Sequence, residues 1–111
     1  MEHLDSIENI KNALIKACIN SRPSYFKPFL SSDKVTTDWP DKDSFYKFFK
    51  YKLADSKKTA EGELHLKIKY PDLVNPTVQH YDFYDSAHIH SRLTILVEEF
   101  KETIHLDIPP F

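Results

Sequence analysis

Residues 87–108, AHIHSRLTILVEEFKETIHLDI, alternate apolar and polar side chains over most of their length. A period of two over this length predicts long, half-buried antiparallel strands with one apolar face. After a polar break at residues 101–102 the alternation resumes. The side chains predicted to face the core are Ile89, Leu93, Ile95, Val97, Ile104, Leu106 and Ile108. Such a face needs a cover, and the first half of the chain supplies candidate helices.

Two stretches of the first half have helical periodicity. The first begins at residues 5–6, where Asp5 has capping-box spacing to Glu8, and ends near Asn20 because Pro23 cannot continue a helix. The second follows Asp41, and its connector to the next strand is predicted over residues 57–62. Their apolar stripes are Leu4, Ile7, Ile10, Leu14, Ala17 and Cys18 in the first, and Phe45, Phe48, Phe49 and Leu53 in the second. Cys18 is therefore predicted to be a core residue, not a nucleophile.

Three more segments are predicted to be strands, and one helical turn is expected over residues 24–30. Residues 35–39 form a short edge strand that Pro40 closes. Residues 64–70 alternate, with Tyr70 on the apolar side, and residues 78–85 place Tyr81 and Phe83 opposite His80, Asp82 and Tyr84. Helices followed by strands predict a single α+β domain over residues 1–111, with helices packed on an antiparallel sheet.

Composition narrows the classes of function. The chain has 111 residues, a net charge of −2 and one cysteine. A near-neutral charge favours neither nucleic acid nor anionic membranes as partners. Lysines do accompany the aromatic residues of the second long helix, but Asp41, Asp43 and Asp55 dilute that charge. The lone cysteine suits a reducing compartment, so a cytoplasmic protein is expected. No cofactor is expected.

Two segments carry a resemblance to a known family. Residues 26–49, FKPFLSSDKVTTDWPDKDSFYKFF, and residues 93–108, LTILVEEFKETIHLDI, resemble the nuclear transport factor 2-like superfamily, also called cystatin-like. The resemblance implies a curved antiparallel sheet wrapped into a cone, with a cavity between helices and sheet. The residues expected to line that cavity and bind a small hydrophobic ligand are Tyr25, Trp39, Phe49, Tyr81 and Phe83.

The same resemblance raises an enzymatic alternative. Isomerase-like relatives use an aspartate at the end of the first short strand as a general base, and Asp38 matches that position. Those relatives also carry a tyrosine on the first helix that stabilises the developing oxyanion, and no aromatic residue lies between Leu4 and Asn20. A non-catalytic binding or protein-interaction domain is therefore the main prediction. A small cavity enzyme of the isomerase or dehydratase type is the alternative.

Histidines are concentrated on the polar side of the predicted strands. Because alternate strand residues share a face, His88 and His90 would project together, and His105, Asp82 or Asp107 from a neighbouring strand would complete a metal site. A solvated surface is the simpler interpretation. A third is a homodimer contact through this sheet face, since related proteins often pair there. The residues predicted for that contact are His80, Tyr84, His88, His90 and Arg92.

Overall fold

A computed structural model describes residues 6–60, 64–85 and 91–109. Within these ranges the chain forms three α-helices, a short 3-10 turn at Pro23–Tyr25 and one five-stranded sheet. The helices are α1 Ile7–Asn20, α2 Lys27–Leu30 and α3 Lys42–Ala60. The strands are β1 Val35–Thr36, β2 His65–Pro71, β3 Val78–Tyr84, β4 Ser91–Glu99 and β5 Ile104–Asp107. The predicted α+β class and the helix-first order are confirmed.

The N-cap of helix α1 lies within the start predicted at residues 5–6, and the helix ends at Asn20, as predicted. Its N-cap is Ser6, whose hydroxyl accepts the Asn9 N–H at 3.2 Å, whereas the predicted cap, Asp5, lies outside the described residues. At the other end Ser21 adopts a left-handed conformation with φ 53° and donates its N–H to the Cys18 carbonyl. This is a common way of closing a helix, and it satisfies a carbonyl of the last turn.

Helix α3 has the predicted start and apolar stripe but is longer than predicted. The Asp41 carboxylate accepts the Ser44 N–H at 2.7 Å, and Phe45, Phe49 and Leu53 are at most 1% exposed. The helix continues to Ala60, so the prediction of a connector from Lys57 is wrong for its first four residues. Lysines in a last turn are favourable next to the negative helix pole, which explains why polarity alone does not end the helix there.

The sheet is mixed, not wholly antiparallel. Strands β2, β3, β4 and β5 are antiparallel neighbours, but β1 joins the outer edge of β5 in parallel, with Val35 opposite Ile104. The antiparallel prediction is therefore wrong for β1. The predicted strand of residues 35–39 is also too long, because β1 ends at Thr36. The Asp38 N–H donates to the Asp107 side chain at 3.2 Å and does not continue the strand pairing.

One face of the sheet forms the core with the helices, as the alternation predicts. Leu93, Ile95 and Val97 on β4 are at most 2% exposed, and Ile104 and Leu106 on β5 are fully buried. They belong to one hydrophobic cluster with α1 and α3. Cys18 lies in the same cluster, and burial raises the pKa of its thiol, so its predicted role as a core residue is confirmed.

A β-bulge in β2 reverses part of its predicted facing. Leu66 lies opposite Phe83, but the next paired residue, Ile68, lies opposite Asp82, so the register shifts between Leu66 and Ile68. Beyond the bulge Tyr70 lies opposite His80. A one-residue bulge exchanges the two faces of a strand, so the prediction that Tyr70 points to the core is wrong.

Candidate functional site

The outer face of the sheet, opposite the core, gathers most of the polar residues singled out from the sequence. Its residues follow from the burial of their neighbours and the strand register: Arg92, Thr94, Leu96 and Glu98 on β4, Val78, His80, Asp82 and Tyr84 on β3, and His105 and Asp107 on β5. The prediction that the histidines lie opposite the apolar face is confirmed for His80 and His105. His88 and His90 lie outside the described residues.

A hydrogen-bond network fixes the middle of the outer face. Asp82 is only 6% exposed and accepts the Thr94 hydroxyl at 2.7 Å. Tyr70 also bonds Asp82, and burial followed by that carboxylate raises the pKa of the Tyr70 phenol. The Tyr70 ring stacks on the His80 ring with centroids 4.8 Å apart. These contacts hold the aromatic side chains of the face in defined positions.

A cleft of about 260 Å³ lies at the Arg92 end of the face. The Nη2 of Arg92 is 3.4 Å from the Asp85 carboxylate, while its Nε is buried and has no hydrogen-bond partner in the described part of the chain. A buried donor without an acceptor costs about 1–3 kcal/mol. The lining of this cleft is Lys52, Tyr70, His80, Arg92, Leu93, Thr94 and Pro109.

The opposite end of the face carries a cluster of Asp38, His105 and Asp107. His105 Nε2 lies 3.1 Å from Asp38 Oδ1 and 2.9 Å from Asp107 Oδ2. Burial raises the pKa of the Asp107 carboxyl above its ordinary value of 3.8, and the adjacent Asp38 carboxylate adds to the rise. The cluster opens into a second cleft of about 290 Å³, which Asn75, Val78, Leu96 and Glu98 also line.

The pairing of β1 with β5 assembles this cluster. Thr36 lies opposite His105, so the chain just after β1 brings Asp38 to the outer side of β5. Asp107 follows His105 by two residues and therefore projects from the same face. The metal hypothesis had named His88 and His90, with His105, Asp82 or Asp107 to complete the site. The structure places two carboxylates beside His105, that of Asp107 and that of Asp38, which is 67 residues away in sequence.

The five residues predicted to bind a hydrophobic ligand do not meet at one place. Phe49, Tyr81 and Phe83 are at most 3% exposed and belong to the core. Trp39 packs on Phe48 with ring centroids 5.0 Å apart, and Tyr25 is 38% exposed. The role of these residues in ligand binding stays a prediction, with three of the five already engaged in packing.

Asp38, the predicted general base, lies at the surface. Its side chain is 83% exposed, and its partner is His105. A carboxylate that abstracts protons near neutral pH needs apolar surroundings, and solvent does not supply them. Its catalytic role stays a prediction that this position does not favour.

No protein-family model, curated protein or solved structure matches the chain. Among the helices described, none is both long enough and apolar enough to cross a membrane. The function must therefore be inferred from the geometry of the outer face itself.

Proposed function

We propose that this protein is a small, non-catalytic interaction domain that pairs with a second copy of itself through the outer face of its sheet. The observation that carries the proposal is the charge distribution along β4. Arg92 lies at one end of the exposed side of this strand and Glu98 at the other. Six residues of β-strand separate the two charges by about 20 Å.

This distribution is self-complementary under two-fold symmetry. A two-fold axis in the contact plane, perpendicular to β4 and near Ile95, would place Arg92 of one copy against Glu98 of the other. The same operation repeats the contact at the opposite end, because a two-fold interface uses one patch on both subunits.

The face also exposes apolar and aromatic surface. Leu96 and Val78 are partly exposed, with Leu96 opposite His80 and Val78 opposite Glu98, and Tyr70 is 39% exposed beside His80. Aromatic residues and arginine are enriched at protein interfaces and contribute disproportionately to their affinity. Partly exposed apolar and aromatic side chains on a face with two opposite charges therefore support a contact between two copies more than they support a solvated surface.

We further propose that the fold belongs to the nuclear transport factor 2-like superfamily and that the protein is cytoplasmic. The element order supports the first proposal: a helix, a helical turn, a two-residue strand, a long helix and four antiparallel strands. The lone buried cysteine, which needs no disulfide partner, supports the second. A crystal structure tests the fold, since a sheet that does not wrap around the helices would contradict the proposal.

Light scattering tests the dimer. The wild-type protein is expected to have a mass of twice the 13.1 kDa of one chain. Leu96→Glu places a charge at the centre of the contact and should give monomer. Lys57→Glu, at an exposed position on α3, is the matched control and should remain dimeric.

Charge reversal tests the orientation of the two copies. Arg92→Glu and Glu98→Arg each place like charges together and should weaken the dimer. The double variant should restore it, because both contacts are reversed together. Wild-type protein that is monomeric at millimolar concentration refutes the dimer, and equal loss in the Lys57→Glu control refutes its location.

A further inference from the structure

Three potential metal-ligand atoms converge at the acidic end of the outer face. Asp38 Oδ1, His105 Nε2 and Asp107 Oδ2 can supply one ligand atom each, and these atoms lie within 4.8 Å of one another. One imidazole nitrogen with two carboxylate oxygens is a donor set that suits a first-row transition-metal ion such as Zn²⁺. An ion with only oxygen preference, such as Mg²⁺ or Ca²⁺, would gain little from the imidazole.

The atoms of His105 and Asp107 that face away from this point are already held. Thr36 Oγ1 is 2.8 Å from His105 Nδ1, and it lies 3.4 Å from the Ile104 carbonyl, to which it donates. The hydroxyl therefore fixes the orientation of the ring through Nδ1, which leaves Nε2 as the ring nitrogen directed at the carboxylates. Metal-binding histidines ordinarily use their second nitrogen in this way.

Asp107 is oriented in the same manner. Its Oδ1 accepts the Thr37 hydroxyl at 3.0 Å and the Asp38 N–H at 3.2 Å, which leaves Oδ2 directed at His105. Two carboxylates held this close repel each other unless a positive charge lies between them. The adjoining cleft of about 290 Å³ has room for water ligands and exposes the Glu98 carboxylate on its wall.

We propose that Asp38, His105 and Asp107 bind one divalent transition-metal ion, for which Zn²⁺ is the best match. His105 and Asp107 are the preoriented ligands, and Asp38, with its side chain 83% exposed, closes the site from solvent. The ligand atoms come from one chain only, so the site does not need the proposed homodimer, although Leu96 and Glu98 of the proposed contact line the same cleft. A monomer that binds Zn²⁺ would support the metal site and refute the homodimer. A dimer that binds no Zn²⁺ would refute the metal site alone.

His80 provides a matched control on the same face. Its Nε2 meets one carboxylate, Asp72 Oδ1, at 2.7 Å, and the other oxygen of Asp72 accepts two backbone N–H groups. His80 therefore has the same histidine–aspartate contact as His105 but lacks a second carboxylate. If any histidine–aspartate pair were sufficient to bind Zn²⁺, substitution of His80 and substitution of His105 would weaken binding equally.

Isothermal titration of the untagged protein with ZnCl₂ tests the proposal. We expect one ion per chain with micromolar affinity, and His105→Ala or Asp107→Asn should weaken binding at least tenfold. Thr36→Val removes only the orienting hydroxyl and should weaken binding about 10–100-fold, the usual effect of an outer-shell partner. His80→Ala should bind as the wild type does, and circular dichroism of each variant should show an unchanged fold.

Three results would overturn the site. The first is the absence of saturable heat up to millimolar Zn²⁺. The second is stoichiometric binding that His105→Ala leaves unchanged. The third is an equal loss in His105→Ala and His80→Ala, which would indicate general binding by surface histidines.

Discussion

Asp72 holds the turn between β2 and β3 through both of its carboxylate oxygens. One oxygen accepts the Val74 and Asn75 N–H groups, each at 3.0 Å, and the other accepts from His80 Nε2 at 2.7 Å. The bond from His80, followed by those from the two backbone groups, lowers the pKa of the Asp72 carboxyl below its ordinary value of 3.8. Asp72 therefore stabilises the fold above its unfolded pKa, and that stability is lost as pH falls through the folded pKa.

An NMR titration of the Asp72 side-chain carboxyl checks this. In the wild type the midpoint should lie below 3.8, and His80→Ala should move it upward because the largest cause of the shift is removed. His65→Ala is the control, since His65 lies at the other end of β2 and should leave Asp72 unchanged. A wild-type midpoint at or above the ordinary value would show that the turn is not held by these bonds.

Among the elements, α3 makes the largest aromatic contribution to the core, and Phe49 is at its centre. Phe49 is fully buried, with its ring 5.9 Å from Phe26 and 6.3 Å from Phe45. Phe49→Ala should lower the free energy of unfolding by about 3–5 kcal/mol, because it leaves a cavity in a packed region. Urea denaturation measures the difference.

Tyr51, on the exposed side of the same helix, is the control for this substitution. It is 64% exposed, so Tyr51→Ala should change the free energy of unfolding by no more than about 0.5 kcal/mol. Similar losses in the two variants would mean that the burial of Phe49 does not explain the effect of Phe49→Ala, since alanine is the better helix former at both positions.

The same elements show which parts of the fold can be predicted from sequence. The end of α1 and the buried faces of α3, β4 and β5 depend on residues close in the chain, so their patterns predict them. The facing of Tyr70 depends on a bulge, which inserts one residue without changing the local pattern. The parallel pairing of β1 with β5 joins distant segments, and periodicity cannot choose a partner.

In the candidate sites, too, features set by neighbouring residues can be predicted and contacts between distant segments cannot. Alternation correctly predicts that His80 and His105 lie opposite the apolar face. At Arg92 the register shifts, because Phe83 pairs with Leu93 but Tyr84 pairs with Ser91, so a bulge interrupts the alternation there. Alternation cannot predict that Asp38 meets His105, since that contact depends on Val35 pairing with Ile104. The usable signal is that Val35 and Ile104 are both apolar strand residues followed by polar ones, but several other pairs in the chain share it.

In the whole molecule, one face of the sheet packs in the core and the other face is the proposed site of association. The helices and one face of the sheet bury the apolar side chains in a single core. The outer face retains Arg92, Glu98 and the partly exposed Leu96, which a monomer would leave in water. If two copies cover this face, folding and pairing contribute to the same equilibrium, and the apparent stability must depend on protein concentration.

This coupling gives a prediction for thermal unfolding. Each tenfold increase in protein concentration adds about 1.4 kcal/mol to the stability of a two-chain assembly, which corresponds to a rise in Tm of about 3–6 °C for two chains of 111 residues. Differential scanning calorimetry over a hundredfold range should show that rise for the wild type and for Lys57→Glu. Leu96→Glu should have the same Tm at every concentration, because it unfolds as a monomer. A wild-type Tm independent of concentration, in protein that light scattering shows to be dimeric, would mean that the copies separate before they unfold and that the contact adds nothing to the stability of the fold.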